Sequence, residues 1–178
     1  CTALFTVNES IAELLRRRYP GKKVEVIRNY PDPGPAPTPG ALHGVLGIPA
    51  DTRLLLSLGG IQAGRGATAY LRLMRSISDA VLLFMGSGDA SPLREYAAEI
   101  GVSGRVLFLD AVDSSDVIAL ASSADIGLCV IEDLGSSYYL SLPNKLFEYF
   151  AAGLPVVASD FPEIGRVMRE SGAGLTVN

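Results

Sequence analysis

Five short apolar runs recur along this chain: LLLSLG (54–59), VLLFMG (81–86), VLFLDAV (106–112), IGLCVI (126–131) and PVVAS (155–159). Segments of helical periodicity separate them, at roughly 66–77, 91–101, 114–123, 143–152 and 161–170. This alternation constrains the fold more than any other feature. A strand that is apolar at every position, instead of every second one, must be covered on both faces. The intervening amphipathic helices supply that cover, and they also supply the crossovers that parallel neighbours need. The expectation is an α/β domain with a doubly wound parallel sheet.

Upstream the pattern differs. TALFTV (2–7) reads as a strand and NESIAELLRRRYPG as a helix that starts at Asn8 or Ser10 and stops before Gly21, followed by the short strand VEVIRN (24–29). Five prolines then fall within residues 30–39, a stretch that can continue neither a helix nor a central strand. The expected organisation is an appended strand and helix over 1–26, a proline-rich linker region over 27–40, and the main domain over 41–178. The chain opens on Cys1 instead of Met, which suggests a piece of a longer protein.

Composition narrows the function classes. A hydrophobic content of 48% fits a large core and argues against disorder. The net charge of −4, without a long basic run, disfavours nucleic acid as a partner. Two cysteines, Cys1 and Cys129, and one histidine, His43, make neither a zinc cluster nor a disulfide framework, so no metal is expected. Cys129, inside IGLCVI, is expected in the core. No run approaches the ~20 apolar residues of a membrane span.

In a doubly wound sheet, ligands sit at the carboxyl ends of the strands, where loops enter helix N-termini. Three junctions there carry candidate chemistry. SLGGIQAGRG (57–66) joins Gly59 and Gly60, which allow close backbone approach to an anion, with Arg65, a forked cationic donor. MGSGDAS (85–91) offers Gly86 at a tight turn, but the full dinucleotide fingerprint is absent, which disfavours a nicotinamide dehydrogenase. SLPNKLFEYF (141–150) opens a helix at Pro143, with Ser141 or Leu142 expected as its cap. Asn144 and Lys145 fall in the first turn. A lysine there opposes the helix dipole unless an anion lies nearby. Glu148, four residues after Asn144, shares its face and leans back toward the mouth of the site.

NKLFEYFAAGLPVVASDFPEIGRVM, together with LSLGGIQAGRG, LLFMGSG, RVLFLDAV and ASSADIGLCV in that order, resembles the donor-binding domain of retaining glycosyltransferases of the group-1 type. These have two Rossmann-like domains, the GT-B fold. The resemblance covers residues 27–178, and residues 1–26 resemble the last strand and helix of the preceding acceptor domain. It implies a nucleoside-diphosphate sugar as donor and, through the missing N-terminal domain, a sugar or lipid-linked acceptor. It implies no cofactor, and a location in the cytoplasm or peripheral at the membrane. Glu148 matches the residue that grips the ribose hydroxyls. Arg65 matches the cation on the diphosphate, and Lys145 is a further phosphate contact. Asn144 and the amides near it meet the phosphates, with Ser141 and Leu146 in the donor-binding set. Asp110, Ala111 and Val112 lie beside the base.

Two departures stand out. Many relatives carry a sugar-contacting Glu eight positions before the ribose Glu, where this chain has Leu140, in a loop longer than usual. Glu132 and Asp133 are the nearby carboxylates. Relatives also tend to carry Arg where this chain has Gly60, leaving Arg65 as the main cation of its loop. The implied reaction transfers the sugar to a hydroxyl with retention of configuration, with Arg65 and Lys145 stabilising the departing nucleoside diphosphate. Two rival readings stay open: an epimerase acting on nucleotide-sugars, for which His43 is poorly placed as acid or base, and a non-catalytic nucleotide-binding module.

Overall fold

A computed structural model describes residues 2–32 and 40–178. Cys1 and residues 33–39, with four of the five prolines expected to form the linker, lie outside the described residues.

Six parallel strands form the main sheet: β3 (Arg53–Leu58), β4 (Ala80–Met85), β5 (Val106–Leu109), β6 (Ile126–Cys129), β7 (Val156–Ser159) and β8 (Gly174–Val177). Their order is β5-β4-β3-β6-β7-β8, so successive strands step one way from β3 to β5 and the other way from β6 to β8. The reversal between β3 and β6 is the switch point, where crevices open at strand carboxyl ends. Here the ladder is short: only Leu55–Ile126 and Leu56–Gly127 pair. The strands then part, and the Tyr149 hydroxyl fills the gap. It accepts from the Leu58 amide (2.8 Å) and lies 3.0 and 3.1 Å from the Leu56 and Leu128 carbonyls.

Helices cover both faces, as the continuous apolar runs require. Leu54, Leu56 and Leu58 of β3 pack into a core with α5 (Val117–Ala121), α7 (Asn144–Ala151) and α8 (Pro162–Ser171). Leu55 points the other way, into a second core with Tyr70 and Leu71 of α3 (Ala67–Leu73) and Ala97 of α4 (Ser91–Glu99). Full burial of one such leucine contributes ~1.5–3 kcal/mol, and the two-residue alternation places that gain on both faces.

The strands end earlier than the apolar runs. β6 stops at Cys129 because its neighbours diverge, and hydroxyls replace the ladder. Tyr70 accepts from the Val130 amide (2.7 Å), and Ser159 accepts from the Ile131 amide (2.7 Å) and donates to its carbonyl (2.8 Å). β5, at the sheet edge, pairs with β4 only as far as Leu109. Three elements lie outside the expected pattern: α2 (Ala41–Leu46), the single turn α6 (Ser136–Tyr139) and the edge strand β8. Each is short: α2 buries only Leu42 and His43, and α6 and β8 bury none, so none carries a long apolar pattern.

β1 (Ala3–Thr6) and β2 (Lys23–Val26) pair with each other in a separate two-stranded parallel sheet, joined by α1 (Glu9–Arg18). Asn8 caps α1: its Oδ1 accepts from the Ile11 amide at 2.9 Å. His43 sits in α2 with Nε2 2.9 Å from the Thr52 carbonyl, a contact that holds α2 to the start of β3. No helix among the described residues is long and apolar enough to cross a membrane.

Candidate functional site

The three junctions converge at the carboxyl end of the sheet. After β3 the chain turns through Gly59, whose amide donates to the Met85 carbonyl (2.9 Å), and the Ile61 amide donates to the Ser87 carbonyl (2.8 Å). The turns after β3 and β4 are thereby fastened to each other. A side chain at Gly86 would bring its Cβ to 2.1 Å from the Gly59 carbonyl oxygen, so glycine alone fits this contact. Gly66, with φ +75°, starts α3, and a Cβ there would meet the Val130 carbonyl at 2.6 Å. These glycines let the loops after β3 and β6 close on one another.

Two hollows lie among these loops and α7. The first, about 160 Å³, is lined by Gly59, Gly60, Gly86, Ala111, Val112 and the Glu148 carboxylate. All six are expected site residues. Ser87 and Val117 also line it and were missed, since a serine between two turn glycines and a valine in a helical stretch carry no distinguishing sequence signal. The second, about 260 Å³, is lined by Arg65, Ser137, Tyr138, Ser141 and Pro143 among others. Ser137 and Tyr138 belong to α6, inside the segment read as a long loop. A third cavity, about 630 Å³, opens at the other end of the sheet, where β7 and β8 begin, and is lined by Phe150, Leu154, Pro155 and Leu175 among others, with no charged side chain. It offers little to a charged ligand.

Lys145 lies in sequence between Pro143, which lines the second hollow, and Glu148, which lines the first. It lies in the first turn of α7 and is only 7% exposed. Burial pushes its ammonium toward the neutral form. The Cys129 sulfur opposes this, the Arg65 guanidinium reinforces it, and Glu148 opposes it more weakly. Glu148 is half-buried, and burial raises its carboxyl above the ordinary value while Lys145 draws it back. Burial also raises the Cys129 thiol, against the pull of Lys145 and Arg65. The Arg65 Nε is buried without a hydrogen-bond partner. Arg65 and a charged Lys145 therefore repel each other near the start of α7, and no carboxylate is hydrogen-bonded to either among the described residues. An anion placed there would relieve the repulsion, receive the helix-end amides and meet the orphaned Arg65 donor.

Several expected residues stand elsewhere than anticipated. Pro143 itself is the N-cap of α7, in extended conformation (ψ 141°), and the helix begins at Asn144. Ser141 does not cap α7. Its hydroxyl donates to the Tyr138 carbonyl at 2.7 Å, although the residue still lines the second hollow. Leu146 is completely buried in the core, and its amide donates to the Pro143 carbonyl (3.1 Å), so it packs the helix instead of facing the hollows. Asp110 is exposed just past β5 and does not line the first hollow, whereas Ala111 and Val112 do. Asn144 is exposed at the first position of α7. Leu140 ends α6, and its carbonyl accepts from the Asn8 side chain at 2.7 Å. The sequence marks Asn8 only as a helix cap, because a bond spanning 132 residues leaves no local sequence trace.

Residues 53–178 match the family model described as glycosyl transferases group 1. The phosphatidyl-myo-inositol mannosyltransferase of Mycolicibacterium smegmatis is 33% identical over 136 residues, covering 74% of this chain and 33% of the relative. The D-inositol 3-phosphate glycosyltransferase of Mycobacterium bovis is 30% identical over 166 residues, covering 90% of this chain and 32% of the relative. The chain thus spans about a third of the length of these curated relatives. Among solved structures, WaaG, a glycosyltransferase involved in lipopolysaccharide biosynthesis, superposes with a TM-score of 0.79 at 19% identity, covering 98% of this chain and 48% of WaaG. Anabaena HepE in complex with UDP-glucose superposes with a TM-score of 0.74 at 16% identity, covering 100% of this chain and 50% of HepE. At such identities these two bear on the fold alone, which is the Rossmann-like α/β architecture of GT-B proteins. The family model covers the loops after β3, β4 and β6 and the whole of α7, and the chain belongs to the group 1 glycosyltransferases.

Proposed function

We propose that this chain is the C-terminal, donor-binding domain of a two-domain enzyme that transfers a sugar from a nucleoside diphosphate to an acceptor hydroxyl with retention of configuration. The observation that carries this reading is that two basic side chains, Arg65 in the second hollow and Lys145 in the first turn of α7, have no bonded carboxylate among the described residues, while Glu148 of the same helix lines the first hollow. The Glu148 carboxylate, with two acceptor oxygens, is suited to adjacent ribose hydroxyls. Gly59, Gly60 and Gly86 let the backbone approach the ligand, and Ala111 and Val112 form the wall for the base. Arg65, Lys145 and the amides at the start of α7 take the diphosphate. In the reaction they stabilise the charge that grows as the sugar–phosphate bond breaks, a preorganised electrostatic contribution that needs no metal ion.

The acceptor side belongs to the part of the protein outside this chain, so the chain alone binds a nucleotide weakly and catalyses little. The names of the mannosyl- and inositol phosphate glycosyltransferase relatives and of WaaG favour a sugar- or lipid-linked acceptor. Leu140, where relatives carry a sugar-contacting Glu, favours a second reading, a nucleotide-binding module without transfer. Calorimetry with UDP, GDP, ADP and dTDP and their sugars tests the binding. One of these should bind, and Glu148→Ala and Arg65→Ala should each weaken it by roughly 10- to 150-fold, the loss of one ~1.5–3 kcal/mol bond to a charged group. Arg65→Ala should affect the nucleoside far less than the nucleoside diphosphate. Unchanged affinity in both variants refutes the site. Sugar transfer by the intact protein, with NMR of the product's anomeric configuration, separates the two readings and tests retention.

A further inference from the structure

We infer that Asn8 is a positioning residue for the anion-binding start of α7, acting through the Leu140 carbonyl. Asn8 lies between β1 and α1, outside the main sheet, yet its side chain is fully buried and both of its ends are used. Oδ1 accepts from the Ile11 amide (2.9 Å) and Nδ2 donates to the Leu140 carbonyl (2.7 Å). The amide orientation is forced, because one neighbour is an N–H and the other a C=O. The post itself is fixed. The Ser10 amide donates to Glu163 Oε1 (2.8 Å), and Glu163 is held by Arg166 (2.7 Å) on α8.

Leu140 closes α6, a single turn of four residues, and a helix that short does not hold its own position in water. Residues 132–137 before it are exposed. Three residues after it the chain reaches Pro143 and then Asn144 and Lys145. The Asn8 bond and the buried Leu142 side chain therefore locate the segment that delivers Ser141 to the second hollow and sets the first turn of α7. A residue of the N-terminal strand–helix unit thus supports the diphosphate subsite of the main domain.

This inference rests on the proposed diphosphate site, and its test separates the two. Asn8→Ser retains a good N-cap but is too short to reach Leu140. Asn8→Asp also retains the cap but sets a carboxylate oxygen against the Leu140 carbonyl. In the intact protein, both variants should stay folded and weaken whichever of UDP, GDP, ADP and dTDP the wild type binds by about 2- to 12-fold, the worth of one ordinary hydrogen bond. Affinity for the matching nucleoside should be unchanged, because Glu148 and the first hollow are untouched. Amide hydrogen exchange over residues 141–146 should quicken in both. Unchanged diphosphate affinity in both variants, or equal weakening of nucleoside and diphosphate, overturns the positioning role and leaves the site reading standing. A wild type that binds none of the four diphosphates sinks the site reading and this inference with it.

Discussion

Replacing Lys145 by methionine should make the unliganded protein more stable and its complex weaker. Lys145 is 7% exposed, feels the charge of the Arg65 guanidinium and donates to no carboxylate among the described residues, while burial already drives it toward the neutral form. Methionine keeps the length of the stem and removes the desolvated ammonium. Replacing buried charged groups by apolar residues of similar volume is commonly neutral or stabilising by ~1–4 kcal/mol, and the lower half of that range is expected here because the neutral lysine is accessible. The loss on the ligand side is one charge-assisted contact, ~1.5–3 kcal/mol, or roughly 10- to 150-fold in affinity. Urea unfolding with and without the bound nucleoside diphosphate reads both effects. At a concentration ~100 times the wild-type Kd the ligand stabilises wild type by ~2.7 kcal/mol, and a variant bound 100-fold more weakly gains only ~0.4 kcal/mol. The pH dependence has a fixed sign. The folded value of Lys145 lies below the ordinary 10.5, so the unfolded chain holds more protons between the two values and wild-type stability rises with pH across that window. That contribution should be absent from the Lys145→Met profile. A variant that is less stable than wild type without ligand, and gains as much as wild type with it, would falsify the reasoning.

Three further outcomes follow from the same geometry. Glu148 titrates above its ordinary value because burial favours the protonated form, so the folded state holds the extra proton between 4.5 and the raised value. Wild-type stability should fall as pH rises through that window, and Glu148→Gln, followed by thermal unfolding at several pH values, should lose the fall. Tyr149→Phe leaves the Leu58 amide without its acceptor where β3 and β6 part, and should cost ~1–3 kcal/mol in urea unfolding, with faster amide exchange at Leu58 than at Leu55. Gly86→Ala sets a Cβ 2.1 Å from the Gly59 carbonyl oxygen, backbone against backbone, and should exceed the ~0.5–3 kcal/mol of ordinary point changes. A Tm within a degree of wild type would show that the turns after β3 and β4 can separate.

The fold class was legible because burial on both faces leaves a local mark: LLLSLG and VLLFMG have no polar alternation, and the two cores on either side of β3 are the reason. The glycine turns and the polar start of NKLFEY were legible for a similar reason, since close backbone approach and an opposed helix dipole each demand particular residues at particular positions. Elements held by tertiary contacts were not legible. α2 and β8 are too short and too weakly patterned to announce themselves, and the end of β6 is set by where Tyr70 and Ser159 offer hydroxyls. The same division runs through the site. Arg65, Lys145 and Glu148 stand out as candidates from their spacing and chemistry, because charge at a strand exit or helix start is unusual wherever it occurs. Only the tertiary structure decided that Leu146 turns into the core, that Ser141 bonds to Tyr138 instead of capping α7, and that Asn8 reaches Leu140. Sequence periodicity reports the solvent a residue will see, whereas a hydrogen bond between residues 132 positions apart exists only after the chain has closed on itself.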